Sequence, residues 1–369
     1  LFIKSIIIKD YRNYDQLRLN FDRNLNIIIG DNAQGKTNLL EAVYVSGFGK
    51  SFRTIKDSDL VKFNKKFAHV KVDIEHDNGR QETIEYRINE QSKKEFLVNG
   101  VNITRISELL GTINLILFYP DDLKLIKDSP VERRKFINRE LSHISTLYCS
   151  DIIEYNRILN QRNELLKKII FKPDLKDTLD IWDEQLAEKG AKIILRRKKF
   201  IDDLDRISKE IHASVTDGKE TLSVAYNTSV KNLENYDTIK SDLIFKLSKQ
   251  IDVDVKRGFT SVGPHRDDLD ILINGISIKS FGSQGQQRTA ALSLKLSEIE
   301  IIKQDVGEYP ILLLDDVMSE LDLSRQKDLI YTLKNVQTII TTTDVKNLLD
   351  EYISASKITK IKNGVVLDH

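Results

Sequence analysis

The stretch "IIIGDNAQGKTNLLEAV", residues 27 to 43, limits what this chain can fold into more than any other segment. Ile27, Ile28 and Ile29 make an apolar run suited to a buried strand, and Leu39, Leu40 and Val43 then recur at helical spacing. Between them, Gly30, Asp31, Asn32, Ala33, Gln34, Gly35, Lys36 and Thr37 fit G-x-x-x-x-G-K-[ST], a loop whose backbone N–H groups wrap a phosphate chain. Lys36 would neutralise the β and γ phosphates of ATP, and Thr37 would hold magnesium. The helix that follows would aim its partial positive charge at the same anion. A chance glycine-rich turn is disfavoured, because the strand, loop and helix context is complete.

Composition narrows the remaining choices. The chain has 369 residues, enough for two domains or for one large domain with an insertion. Its 57 Lys and Arg nearly cancel 56 Asp and Glu, so any basic surface must be local. Cys149 is the only cysteine, which excludes a disulfide framework and a cysteine-based zinc site and fits a reducing cytosol. No apolar run approaches the roughly 20 residues of a membrane span, and the N-terminal residues do not read as a signal peptide. The expectation is a soluble, cytoplasmic protein with no membrane partner. His69, His76, His143 and His212 are scattered without ligand spacing.

Two strands are predicted around Phe2 to Lys9 and Asn26 to Ile29. Residues 66 to 103 then alternate apolar and polar side chains, as antiparallel strands do, with a last turn at Asn99-Gly100. From about Leu141 the rhythm becomes helical. Ile144, Tyr148, Ile152, Tyr155 and Leu159 recur at three and four, Pro173-Asp174 ends one helix, and a second runs to Asp217-Gly218. The second would span about 55 Å at 1.5 Å per residue, and Gly190 and Arg197 interrupt its seam. A helical hairpin of modest length is expected.

The C-terminal third carries two further signals. "YPILLLDD" places Asp315 and Asp316 at the end of a short apolar strand, Ile311 to Leu314, where a phosphate-loop enzyme holds its magnesium shell and orients water. Before it, "SFGSQGQQR" sets Ser283, Gln284, Gly285 and Gln286 at the start of a second helix. This is a second phosphate-binding helix end when the first loop already cradles one nucleotide. Both ends are used if two copies of the chain meet, each nucleotide lying between the Gly30 loop of one and the Ser283 segment of the other.

The series "GDNAQGKT", "GSQGQQ", "ILLLDD" and "SELD" resembles the ATP-binding-cassette head of SMC-like DNA-repair ATPases. "KDYRNY", "SFRT", "FYPDDL", "ERRKF" and "GPHRDDL" bring it nearest to the RecF family of recombination mediators. The resemblance runs through the whole chain. It implies an α/β fold, an ABC-type (SMC-like) P-loop ATPase head at residues 1–115 and 252–369 with an inserted helical arm at 116–251. It also implies ATP and magnesium as cofactors, an ATP-dependent homodimer, slow, DNA-stimulated hydrolysis, and binding to DNA as duplex, gap or single-to-double-strand junction. RecR would be a partner, with RecO and RecA downstream. Carried over by position, Lys36, Asp315 and Asp316 would be catalytic, Thr37 and Asp315 would hold magnesium, and Ser283 to Gln286 would be the trans contact. Ser319 and Asp322 would belong to a loop crossing the dimer interface. Arg53 resembles an arginine that SMC-like heads place near the nucleotide or the DNA path. Asp316 is shorter than the Glu of transporter cassettes, and Thr343 stands where a switch histidine is usual. Both departures weaken water activation.

Candidate DNA contacts are Lys50, Arg53, Lys56, Lys62, Lys65 and Lys66, with a second cluster at Lys189, Lys192, Arg196 and Lys199. With no base-reading motif, recognition would be of backbone and shape and steeply salt dependent. His265 and Arg266 read as a structural or nucleotide-coupled loop. A small-molecule kinase has no use for the Ser283 segment, a GTPase would show N-K-x-D, and a transporter head a switch histidine. A clamp that binds ATP without turnover is the nearest rival.

Overall fold

The structure is a computed structural model that describes residues 1–318, 326, 335–344, 353–354 and 356–367. It divides into two compact units, one of Leu1–Asp122 with Lys295–His369 and one of Leu123–Leu294.

In chain order the first unit begins with strands β1 (Phe2–Tyr11), β2 (Tyr14–Asn20) and β3 (Leu25–Ile29), then helix α1 (Lys36–Phe48). Strands β4 (Phe67–Glu75), β5 (Gln81–Asn89), β6 (Lys94–Val98), β7 (Val101–Ile103) and β8 (Leu115–Phe118) follow. The second unit carries α2 (Pro130–Ile144), α3 (Thr146–Ile169), α4 (Leu179–Val215), β9 (Leu222–Asn227), α5 (Tyr236–Arg257), β10 (Asp268–Ile273) and β11 (Ile276–Ser277). Helix α6 (Gln284–Val306) contains the boundary between the units, and β12 (Ile311–Asp315), β13 (Thr338–Thr342), β14 (Ser356–Lys362) and β15 (Val365–Leu367) return to the first.

Two six-stranded sheets form the first unit, β2-β1-β4-β5-β6-β7 and β15-β14-β3-β13-β12-β8. The former is antiparallel and alternates as the sequence does: Ala68, Val70, Val72 and Ile74 of β4 and Ile84, Tyr86 and Ile88 of β5 are buried. Asn99 and Gly100 both have positive φ, the geometry that a two-residue hairpin between β6 and β7 requires. In the second sheet β14, β3, β13, β12 and β8 are parallel, and the inner strands β13 and β12 are buried along their whole length, which explains the apolar run of β12, whereas β14 alternates. Helix α1 is buried on nearly all sides, with Leu39, Leu40, Val43 and Val45 in one core with residues of both sheets. Strand β2 was not predicted; Tyr14, Leu17 and Leu19 are its inward positions, only two residues after β1 ends.

Helix α4 has 37 residues, about 55 Å at the usual rise, and packs along α3 and α5. Gly190 and Arg197 do not interrupt its seam. A Cβ on Gly190 would lie 3.1 Å from Leu243 Cδ1 and 3.4 Å from Tyr155, so glycine lets α5 approach closely. Arg197 is buried and donates to Pro264 O (2.6 Å), Asn138 Oδ1 (2.8 Å) and Tyr148 Oη (3.0 Å). Residues 252–294, placed with the head by the sequence, belong to the second unit. The reason is the register of β10 with β9, from Asp268↔Asn227 to Ile273↔Leu222, which ties the chain beyond 251 to the arm's own sheet. Among the described residues no helix is long and apolar enough to cross a membrane.

Candidate nucleotide-binding site

The parallel sheet delivers its site at the C-terminal ends of β3, β13 and β12, the edge where open α/β sheets bind ligands. From β3 the chain enters the loop at Gly30, where a Cβ would lie 2.3 Å from Ile361 O; only glycine fits. Gly35 takes φ +115° and begins α1, a conformation that a side chain would strain. Lys36 is buried, and its ammonium donates to Gly30 O (2.5 Å) and Asp31 O (3.0 Å). Burial pulls its pKa down, while the charges of Asp316, Asp315 and Asp31 pull it up. A buried cation held by carbonyls of its own loop, at a helix N-terminus, is arranged for an anion.

At the end of β12, Asp315 Oδ1 accepts from Thr37 Oγ1 (2.9 Å) and from Thr341 Oγ1 of β13 (2.7 Å). Burial raises the Asp315 carboxyl above its ordinary range against the hydrogen bonds from Thr341 and Thr37, which lower it. Asp316 has φ +55°, and its backbone N–H donates to Thr341 Oγ1 (3.1 Å). Thr343 follows β13 directly and is partly exposed.

Three sets of contacts brace the loop and the helix that follows it. The "YRNY" turn, whose letters suit a strand edge and turn and whose family counterpart lies near the nucleotide, reaches the loop directly: Tyr14 Oη donates to Gly35 O (2.8 Å) and Asn13 Nδ2 to Gln34 O (3.0 Å). Glu41, fully buried on α1, accepts two hydrogen bonds from Arg12 (2.8 and 2.6 Å) and one from Ser51 (2.6 Å). Its signal was legible as a lone carboxylate inside "NLLEAVYV". Gly364 N–H also donates to Gln34 O (3.0 Å).

Of the first basic cluster, Arg53 turns toward α1, donating to Asn38 Oδ1 (2.7 Å), with Glu41 3.9 Å away. Its charge also lowers the pKa of Asp315. Lys62 pairs with Asp15 (2.7 Å) and Lys65 with Asp10 (3.1 Å); Lys50, Lys56, Lys65 and Lys66 all lie at exposed positions. The second cluster is not acid-free in space: Lys189 meets Asp151 and Glu154, Arg196 meets Asp151, and Lys192 meets Glu188.

In the second unit, Ser283 and Gln286 form a reciprocal cap on α6. Gln286 N–H donates to Ser283 Oγ (3.2 Å) and Ser283 N–H to Gln286 Oε1 (2.9 Å), and Gln286 Nε2 donates to Glu220 (2.9 Å). The Ser283 hydroxyl thus serves as an acceptor and keeps a proton to donate. A Cβ added at Gly285 would meet nothing nearer than Ser283 Oγ at 3.9 Å, so the start of α6 is open. Ser319 and Asp322 lie outside the described residues. Pro264 and His265 sit in a hydrogen-bonded network with Tyr155, Thr260 and Arg197, a structural setting.

Comparison with known proteins agrees with this architecture. Residues 2–366 match the family described as RecF/RecN/SMC N terminal domain. A protein of Alkaliphilus oremlandii named DNA replication and repair protein RecF is 48% identical over 354 residues, 95% of each chain. One of the same name from Clostridium tetani is 42% identical over 371 residues and the full length of both. A solved structure described as the recombination mediator protein RecF-ATPrS in the RecFOR pathway superposes with a TM-score of 0.92 at 38% identity, covering 99% of this chain and 97% of that one. An Smc head bound to the C-winged helix domain of ScpA shares the fold, with a TM-score of 0.58 at 19% identity, 99% of this chain and 96% of that one. From the loop geometry, the sheet order and these matches, the chain belongs to the RecF family of SMC-like ABC ATPases.

Proposed function

We propose that this chain is an ATP-dependent DNA-binding protein of recombinational repair, in which ATP and magnesium close two copies of the chain over DNA. The observation that carries the reading is the meeting of Thr37 and Asp315 at 2.9 Å beside the buried Lys36, an arrangement that suits a magnesium ion on two oxygens next to a phosphate-facing cation. Magnesium there would screen the phosphate charge, with Thr37 and Asp315 holding it and Lys36 facing the β and γ phosphates. Asp316 would orient water. Its short side chain, and a threonine at position 343, support slow turnover in which ATP acts mainly as a clamp.

In this reading Ser283, Gly285 and Gln286 contact the nucleotide of a second copy, supported by the open, capped helix start. Lys50, Lys56 and Lys66 meet the DNA backbone, while Arg53 serves the nucleotide side through Asn38. The names of the relatives support a role in DNA repair, and the RecFOR pathway named for the solved structure supports RecR and RecO as partners; loading of RecA at gaps or junctions is the step this reading adds.

Single-turnover phosphate release, with and without gapped duplex, tests the reading. Slow release that rises with DNA supports it. Release at the rate of a transporter head contradicts the clamp, and ATP binding with no release at all in either condition favours a non-hydrolysing clamp.

A further inference from the structure

A concavity of about 190 Å³ opens in the second unit between α2 and α3, beside the Pro264–Arg266 loop. Arg134, Lys135 and Asn138 of α2 and Asn156 of α3 face it, with Tyr155 and His265 at its floor. Among the described residues that line it there is no carboxylate.

The floor is fixed. His265 Nε2–H donates to Thr260 O (3.0 Å), since a carbonyl can only accept; Nδ1 therefore accepts from Tyr155 Oη (2.7 Å). Both ring nitrogens are engaged and the imidazole is neutral, which leaves no base and no metal ligand there. The Asn138 amide is oriented as firmly. Its Oδ1 accepts from Tyr148 Oη (2.7 Å) and Arg197 Nη2 (2.8 Å), so its NH₂ is the end left for the cavity. Arg134 uses Nη1 on Asp267 O (2.8 Å), one of five guanidinium N–H groups. Lys135 pairs with Glu132, three residues earlier on the exposed face of α2, a weak competitor.

The polar groups that the lining leaves available are therefore donors, with the positive charges of Arg134, Lys135 and Arg197 among them and Val131 and Ile152 as its apolar part. Burial holds the Arg134 pKa down, and the neighbouring Arg197 and Arg266 push in the same direction against Asp268 and Asp267. Asp268 is already bound by Arg133 through two hydrogen bonds (2.6 and 2.9 Å), and Asp267 is bonded by Tyr226. A concave surface whose free polar groups are donors with excess cation, framed by Val131 and Ile152, complements a tetrahedral oxyanion.

We propose that this concavity is a second phosphate-binding site, taking a phosphate oxyanion on Arg134, Lys135, Asn138 and Asn156. The oxyanion comes either from a DNA backbone or from a free phosphate compound. The DNA source rests on the reading under Proposed function; the free-phosphate source does not.

The test uses the full chain. Inorganic phosphate is titrated while acylation of Lys135 is followed by mass spectrometry, and duplex binding is measured by anisotropy between about 50 and 200 mM salt. Wild type is compared with Lys135→Glu and Asn156→Asp, both at exposed positions where the fold is retained. Phosphate is expected to protect Lys135 in wild type and not in Asn156→Asp. If the source is DNA, Lys135→Glu weakens duplex binding about five-fold or more and lowers the salt slope by about one. Lost protection with unchanged duplex binding assigns the site to free phosphate. Absence of protection in wild type together with unchanged duplex binding in both variants overturns the proposal. A wild type that binds no DNA at all sinks the DNA reading, while the protection experiment still decides the site.

Discussion

Thr37 Oγ1 donates to Asp315 Oδ1 over 2.9 Å, although 278 residues separate them in the chain. The contact exists because β3 and β12 both flank β13, whose Thr341 donates to the same carboxylate oxygen. One buried carboxylate thereby collects two hydroxyls, and its burial without a cation is unfavourable. Thr37→Ala and Asp315→Asn are expected each to lower phosphate release by about a hundred-fold or more at saturating magnesium, on the scale of removing one electrostatic stabiliser. Nucleotide binding measured without magnesium should change little. Equal turnover in either variant would remove the pair from the chemistry.

The brace from Tyr14 to Gly35 gives a subtler expectation. Tyr14→Phe deletes one buried hydrogen bond to the loop, leaving the Gly35 carbonyl only the helical bond from Leu39 N–H (3.0 Å), at a cost of about 1 kcal/mol. Titration with a fluorescent nucleotide should show affinity weakened by about five-fold. An unchanged affinity would mean that the loop keeps its shape without Tyr14.

His265 makes stability depend on pH. Burial lowers its pKa from 6.5 to about 4 in the folded chain, so between those values the unfolded chain binds the extra proton. Stability is fully present above about pH 6.5 and falls as pH drops toward 4, by at most about 3 kcal/mol from this group. Urea midpoints at pH 7.5 and pH 5 should differ less for His265→Gln than for wild type. A His265→Gln variant with the wild-type difference would assign the pH dependence elsewhere.

Arg162 is fully buried and joins three segments of the arm, donating to Asp183 (2.5 Å), Asp254 (2.9 Å) and Thr260 (2.9 Å). Arg162→Ala leaves two carboxylates buried without their cation, and about 3 to 5 kcal/mol of stability should be lost. Thermal melting checks this, and a shift of only a degree or two would show that the carboxylates find water or other partners.

How much was readable in advance depended on where each contact is encoded. The loop from Gly30 to Thr37 is local, and its strand and helix flanks stood in the same seventeen letters, so strand, turn and helix were predicted together. The alternation of residues 66 to 103 and the hairpin at Asn99-Gly100 were local in the same way. Asp315 was found through its strand-end position, but its partner Thr341 was not, because a hydroxyl inside "TIITTTD" carries no local mark. Tyr14 and Glu41 act across the sheet and the helix: the turn letters around Tyr14 suit a strand edge equally well, and a lone carboxylate in "NLLEAVYV" does not say that Arg12 is its partner. The arm's extent was misjudged because β9 and β10 pair across α5, a relation that no local pattern announces. Lys189 and Arg196 stand in "KGAKIILRRKK", a run that holds no acid, while Asp151 and Glu154 approach from α3.

Whether ATP joins two chains through Ser283 is decided by solution mass with and without ATP and magnesium. Ser283→Asp is the informative variant, because Asp keeps a side-chain acceptor for the Gln286 N–H and so preserves the cap of α6, yet sets a negative charge against a phosphate. Asp316→Asn should leave the nucleotide in place while slowing its hydrolysis. ATP is expected to double the mass of wild type, Ser283→Asp to stay at the single-chain mass, and Asp316→Asn to hold the doubled mass longest. A wild-type mass that does not change with ATP, or a Ser283→Asp chain that doubles as readily as wild type, would contradict joining through Ser283.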